Sequence, residues 1–139
     1  MAKSLLYRLF GIGKLPEPLM SQLKNEGIIL LDEAVKGSVT YRDFHRPGKS
    51  TGWERRWFTS SIILTKARLL ALWSSNPIIN VPLADERIRA MQYSLEKGGA
   101  VLCVSFDAAL FHDDWSGTIE YRFRTPEAQR FLELLQQPS

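Results

Sequence analysis

The chain has 139 residues, of which 45% are hydrophobic and 24% charged, with a formal net charge of +3. These values are typical of one globular domain with a single core, and no apolar run approaches the roughly 18 residues of a membrane-spanning helix. The only cysteine, Cys103, excludes an intramolecular disulfide. Because we find no secretory h-region, we expect a cytoplasmic protein, with peripheral attachment to a membrane as the alternative.

The positive charge lies mainly in the first part of the chain. Residues 1–56 contain ten Lys or Arg and six acidic residues, whereas residues 57–139 contain eight and nine. This imbalance is smaller than the dense basic face of a dedicated nucleic-acid binder, so we expect no nucleic-acid partner. It permits an anionic partner of another kind.

The first segment, residues 1–14, has three basic and no acidic residues, and its apolar residues recur at roughly helical spacing. One interpretation is an interfacial anchor whose basic residues face lipid headgroups. The other is a helix that packs on the domain or on a second copy of it. Either way, the residues expected to make the membrane or oligomer contact are Lys3, Leu5, Leu6, Arg8, Leu9 and Phe10.

A second short helix is predicted from Glu17 to Asn25, and it completes an N-terminal helical extension over residues 1–27. Ile28 to Leu31 is either an edge strand or a continuation into the next element. Beyond it, alternation of apolar and polar residues predicts seven strands, at 35–45, 55–64, 69–73, 78–83, 87–95, 100–106 and 118–124. The turn-rich stretch from His45 to Gly52 is expected to be a loop that joins the first two.

A C-terminal helix is predicted from Pro126 to about Gln136, with Thr125 as its N-cap and Phe131 on its apolar face. Seven short strands with hairpin connections, followed by one amphipathic helix, indicate a mainly β domain over residues 28–139. We expect an antiparallel barrel closed by that helix.

This order of elements resembles the pleckstrin homology (PH) domains, in particular their bacterial PH-like and GRAM-like branch. The resemblance covers about residues 35–137. It is carried by Lys36-Gly37 in the first strand, by WERRWF at residues 53–58, by Ile63 to Leu69 around the next hairpin, and by the last strand and helix, residues 123–135. The family's helix commonly packs a tryptophan into the barrel, and Phe131 stands on that face here.

The resemblance also implies an anion site, because family members that bind phosphoinositides use basic residues late in the first strand and before an aromatic residue in the second. Guanidinium groups and loop amides suit phosphate. Two interpretations stay open: a specific anion site framed by residues 43–52, or a solvated charged face. Glu54 would repel phosphate in such a site, and its carboxylate can pair with Arg55 or Arg56 instead. The residues concerned are Arg42, Arg46, Lys49, Arg55 and Arg56.

Catalytic patterns are weak in this chain. Gly48-Lys49-Ser50 is not a phosphate-binding P-loop, because Asp43 stands where the first glycine is needed. His112 beside two aspartates is better read as a loop than as a metal site, and Cys103 has no flanking positive charge to activate it. We expect no catalysis, no cofactor, no metal and no small-molecule substrate. An alternative of the OB type would stack Trp53, Trp57, Trp73 and Trp115 on bases, but that barrel does not end on a capping helix of this kind.

The sequence therefore predicts a non-catalytic PH-like interaction module whose partner is a protein or a second copy of the chain. The alternative is weak peripheral binding of anionic lipid headgroups through the basic residues around 43–52.

Overall fold

The computed structural model describes Leu15, residues 17–73 and residues 76–136. Within them, two groups of consecutive strands, four and then three, are preceded, separated and followed by helices. In chain order the elements are the helix α1 (Glu17–Glu26), the strands β1 (Ile28–Arg46), β2 (Lys49–Thr65), β3 (Arg68–Trp73) and β4 (Asn76–Pro82), the short helix α2 (Arg87–Ala90), the strands β5 (Gln92–Glu96), β6 (Val101–Asp107) and β7 (Ser116–Arg124), and the helix α3 (Ala128–Leu135).

The described strands form one antiparallel sheet in the order β4-β3-β2-β1-β7-β6-β5. This confirms the predicted set of seven antiparallel strands followed by a C-terminal helix. No pairing between described residues joins β4 to β5, so the sheet is open, whereas the sequence predicts a closed barrel. β1 is the longest strand, at 19 residues, and its place between β2 and β7 makes it the centre of the sheet.

The sheet curves around one apolar core. Val81 of β4, Val104 of β6 and Phe131 of α3 belong to the same buried cluster, although β4 lies at one edge of the sheet and β6 beside the other. The alternation predicted for β6 and β7 is confirmed, because Leu102 and Phe123 are fully buried in this cluster. Helix α3 therefore covers the concave side with its apolar face, as predicted.

Gly37 allows an aromatic ring to approach the backbone of β1. Its partners in the sheet are Phe58 on β2 and Phe123 on β7. A β-carbon at this position would lie 2.6 Å from the Phe58 ring and 2.8 Å from the carbonyl oxygen of Arg122. Glycine is required here because the Phe58 ring occupies the space of a side chain.

Helix α1 packs on the convex side of the sheet and forms a second apolar cluster there. Leu23 is fully buried against Ile63, Leu70 and other side chains of β2 and β3. Glu26 accepts two hydrogen bonds from the Arg68 guanidinium, at 3.0 and 2.9 Å, in a pair that is largely shielded from solvent. This part of the outer surface is therefore closed by the helix that the sequence predicted.

Three boundaries differ from the sequence analysis. Residues 87–90 form α2 and not the start of a strand; Asp85 accepts the Arg87 N–H at 2.9 Å and Ile88 is buried, so one helical turn suits this segment. Strand β1 includes Ile28 to Leu31, which settles the choice left open for that segment. Helix α3 begins at Ala128, because the Thr125 hydroxyl accepts the Glu127 N–H and donates to Asp32 before the helix starts.

The stretch from His45 to Gly52 is also not a loop. β1 continues to Arg46 and β2 begins at Lys49, so that Pro47 and Gly48 alone form the turn, with Gly48 at φ +82°. A two-residue hairpin needs a positive φ, which glycine adopts without strain. The predicted N-terminal contact residues lie outside the described part of the chain: Lys3, Leu5, Leu6, Arg8, Leu9 and Phe10.

Phe131→Ala is expected to lower the free energy of unfolding by about 3–5 kcal/mol, because the fully buried ring joins α3 to the sheet. Thermal or denaturant unfolding measures this loss. Gln129→Ala, on the exposed side of the same helix, should change stability by less than about 0.5 kcal/mol. Equal stability of the two variants would place Phe131 outside the core.

Gly37→Ala is expected to cost about 1–3 kcal/mol, since the new methyl group collides with the Phe58 ring and the backbone of β7. Gly52→Ala is the matched control: nothing lies within 4 Å of its added β-carbon. Denaturant midpoints compare the two. A Gly37→Ala protein as stable as the Gly52→Ala protein would contradict the close approach.

Candidate functional site

The candidate site lies on the convex face of the sheet, on the part that α1 leaves uncovered. Side chains of adjacent strands stand beside one another in rows that follow from the register. One row runs from Trp57 on β2 through Ser38 on β1 and Arg122 on β7 to Cys103 on β6. Four strands that are distant in sequence therefore contribute to one continuous surface.

Two tryptophans on β2 are exposed on this surface. Trp53 is 57% exposed and Trp57 is 73% exposed, and among the described residues Ile29 is the only other exposed large hydrophobic residue. The Arg55 guanidinium lies between them, 5.5 Å from the Trp53 ring centre and 5.8 Å from that of Trp57. Its Nε donates to the Thr40 hydroxyl at 3.0 Å. We refer to Trp53, Arg55 and Trp57 as the Trp–Arg–Trp ladder.

A groove of about 510 Å³ borders this ladder and crosses the sheet from β2 to β5. The middle of the groove has only small side chains, because Gly37 and Ser38 of β1 lie between the large side chains of Trp57 and Arg122. Five of its ten lining residues are basic and one is acidic. The groove is lined by Lys36, Gly37, Ser38, Arg55, Trp57, Glu96, Lys97, Val101, Arg122 and Arg124.

Arg122 forms the most constrained charged contact in the groove. Its guanidinium donates to Glu96 at 2.8 Å and to Glu120 at 3.1 Å, and 21% of its side chain is exposed. These hydrogen bonds, above all the one to Glu96, raise the pKa of Arg122. They also lower the pKa of Glu96, with smaller contributions from the charges of Arg55 and Lys97. Basic residues from β2, from β7 and from the β5–β6 turn therefore all act on the Glu96 carboxylate.

The other cations of the groove are less engaged. Lys36, Lys97 and Arg124 are exposed, and none of them lies within 4.0 Å of a carboxylate oxygen of the described residues. Lys36 and Arg124 are direct partners in the pairing of β1 with β7. Two positive charges on adjacent strands repel one another, so an anion bound between them would relieve that repulsion.

Most of the basic residues singled out in the sequence are already paired. Arg42 Nε donates to Glu120 at 3.2 Å, and Glu54 contacts both Arg56, at 2.6 Å, and Lys49, at 3.5 Å. The hydrogen bond from Arg56 lowers the pKa of Glu54. Glu54 therefore pairs with Arg56, one of the two partners expected for it, and also contacts Lys49.

Arg46 and Arg55 make cation–π contacts and no ion pair within the described residues. The Arg46 guanidinium lies 5.7 Å from the Trp115 ring centre, near the β1–β2 turn, and Arg55 belongs to the ladder. Trp115 also stacks on His112 at 3.7 Å. The five predicted basic residues therefore do not meet in one site: only Arg55 lines the groove.

Metal ligands and reactive groups are not brought together here. No cluster of three or more His, Cys, Asp or Glu side chains in the described ranges is placed to hold a metal ion. Cys103 is buried beneath the outer face, and burial raises the pKa of its thiol. None of the helices in those ranges is long and apolar enough to cross a membrane.

Sequence reasoning missed Lys36, Lys97, Arg122 and Arg124 as site residues. In the sequence, the alternation in β7 places Arg122 and Arg124 on the face opposite the core, and the alternation in β2 does the same for Arg55 and Trp57. That signal predicts the face of each strand but not the order of strands in the sheet. The pairing of β1 with β7 was the missing information.

The chain matches no family model, no curated protein and no solved structure.

Glu96→Gln is expected to lower the melting temperature near neutral pH and to have less effect in acid. The folded-state pKa of Glu96 lies below its unfolded value of about 4.3, so its contribution is present above that value and is lost as the pH falls through the folded pKa. Melting curves from about pH 6 to about pH 3 measure this. Glu133→Gln, on the exposed side of α3, is the control, and a difference between wild type and Glu96→Gln that stays constant with pH would contradict the expectation.

Proposed function

We propose that the protein is a non-catalytic PH-like binding module that binds a protein partner through the convex face of its sheet. The Trp–Arg–Trp ladder is the observation that carries this proposal. Two indole rings and a guanidinium stand side by side on a rigid strand, with both rings largely exposed.

Exposed tryptophans of this kind suit a protein interface for an energetic reason. Burying a large aromatic ring removes apolar surface from water, which contributes a favourable free energy of about 25 cal/mol per Å². Trp and Arg are also the residue types that dominate the binding energy of measured interfaces. Because Thr40 already orients Arg55, little side-chain entropy is lost when a partner covers the ladder.

The PH-like part of the proposal is supported by the order of elements. An antiparallel set of seven strands is followed by a helix whose apolar face joins the core, and the sheet curves so that both of its ends contribute to that core. The proposal extends this arrangement to a PH-like barrel.

The alternative, attachment to anionic lipid through residues 43–52, has weaker support. Lys49 and Arg56 share Glu54, and Arg42 pairs with Glu120, so that much of the local charge is neutralised. Each basic residue near an anionic membrane contributes roughly 1 kcal/mol when its charge is available, and paired residues contribute less.

The proposal is tested by selecting a random peptide display library on the purified wild-type chain and titrating enriched peptides against variants. Trp53→Ser with Trp57→Ser removes both rings from an exposed face, so the fold is expected to persist. We expect enriched peptides to bind wild type at least tenfold more tightly than this variant. Ile29→Ser, which removes the other exposed large hydrophobic side chain of the described residues, is the matched control.

Three outcomes are informative. Ladder-dependent peptides support the proposal. Light scattering that shows a dimer in wild type and a monomer in the Trp53→Ser, Trp57→Ser variant identifies a second copy as the partner. If no peptide and no second copy binds, but anionic vesicles sediment wild type and not an Arg42→Glu, Lys49→Glu, Arg56→Glu variant, the lipid alternative replaces the proposal.

A further inference from the structure

We propose that the groove beside the Trp–Arg–Trp ladder binds an acidic, extended segment of the partner protein. This inference rests on the proposed function and assigns the chemistry of the partner. It concerns Lys36, Lys97 and Arg124, which are basic residues outside both the predicted anion site and the ladder.

The charge of the groove favours an acidic ligand. Among its lining residues the single carboxylate, Glu96, is held by Arg122, while Lys36, Lys97 and Arg124 remain without an ion pair in the described structure. A carboxylate placed between Lys36 and Arg124 would contact two cations on adjacent strands. Such contacts gain more in a partly desolvated groove than on a flat surface.

The length of the groove favours an extended peptide. Its lining residues come from β2, β1, β7, β6 and the end of β5, which are consecutive in the sheet. At about 4.8 Å between strands, four spacings span roughly 19 Å, which corresponds to about six residues of extended chain. One phosphate or one lipid headgroup would fill only part of this length.

The remaining segments of this chain do not have the required charge. Residues 1–14 contain three basic and no acidic residues, and residues 74–75 and 137–139 contain no charged side chain. These segments are therefore poor ligands for a cationic groove.

The detailed arrangement favours a peptide over a nucleic acid. Glu96 and Glu120 flank Arg122 at the centre of the face, where a continuous polyphosphate would meet both carboxylates. A peptide can place its acidic side chains near Lys36, Lys97 and Arg124. It can present its neutral amide groups to the Glu96 carboxylate and the Ser38 hydroxyl.

The experiment is an NMR titration of the ¹⁵N-labelled full chain with hexaglutamate, using hexaglutamine as the neutral control. We expect hexaglutamate to shift the amide signals of β1, β7 and the β5–β6 turn around the groove, and hexaglutamine to leave them in place. The variant Lys36→Ser, Lys97→Ser, Arg124→Ser should bind hexaglutamate about tenfold more weakly, since three surface ion pairs are lost.

A charge-matched variant separates a local site from general attraction. Lys24→Ser, Lys66→Ser and Arg89→Ser remove the same net charge from exposed positions that do not line the groove. Wild-type affinity in this control supports the inference. Equal weakening of both triple variants would reduce the effect to net charge and overturn it, as would the absence of any hexaglutamate shift.

Two further probes test the class of ligand. If oligothymidylate or anionic vesicles displace hexaglutamate at a concentration below that of hexaglutamate, the groove is assigned to nucleic acid or to lipid. This result would overturn the assignment to a peptide. The two proposals fail separately: display peptides that depend on the tryptophans but carry no acidic residue would support the ladder as a protein interface and overturn the acidic segment. Acidic display peptides that depend on both sets of residues support both proposals.

Discussion

The central position of β1 is the constraint on which the rest of the molecule depends. It pairs with β2 over its whole length and with β7 from Lys36 to His45, which brings strands from both halves of the sequence side by side. Gly37 makes this possible on the concave side because the Phe58 ring lies against it. On the convex side, Thr40 accepts hydrogen bonds from both Arg55 and Arg122, which is 82 positions away. Core and candidate site are therefore opposite faces of the same pairing.

The convex face has two parts, one covered by α1 and one exposed to solvent. Around Ile63 on β2, side chains that point away from the core are covered by α1 and are fully buried. Towards Trp57 and Trp53 on the same strand, no described element covers them. Along its 17 residues, β2 thus changes from a strand with one buried face, near Trp57, to a strand with two buried faces, near Ile63. A strand that is covered on both faces reads as a continuous apolar run, and Ile62 to Leu64 has that pattern.

Much of the fold follows from local pattern, and the site does not. Alternation in β6 and β7 indicates which side chains enter the core, and the Thr125-Pro126-Glu127 segment indicates a helix start within two residues of the observed one. Lys36 and Arg124 become neighbours only through the pairing of β1 with β7, which no local signal contains. The position of Glu120 next to Arg42 also depends on the register of β1 with β7, so the sequence alone shows no partner for Arg42.

The contrast between paired and unpaired cations decides where a basic protein can bind. Basic residues are densest in sequence from Arg42 to Arg56, but three of the five form ion pairs with Glu54 or Glu120. An incoming anion would have to displace a carboxylate that is already hydrogen-bonded, so little net energy is gained there. In the groove, Lys36, Lys97 and Arg124 require no such exchange, and Arg55 is occupied only by a hydroxyl and two rings. Available charge, and not the number of basic residues, therefore favours the groove and its ladder as the proposed binding face.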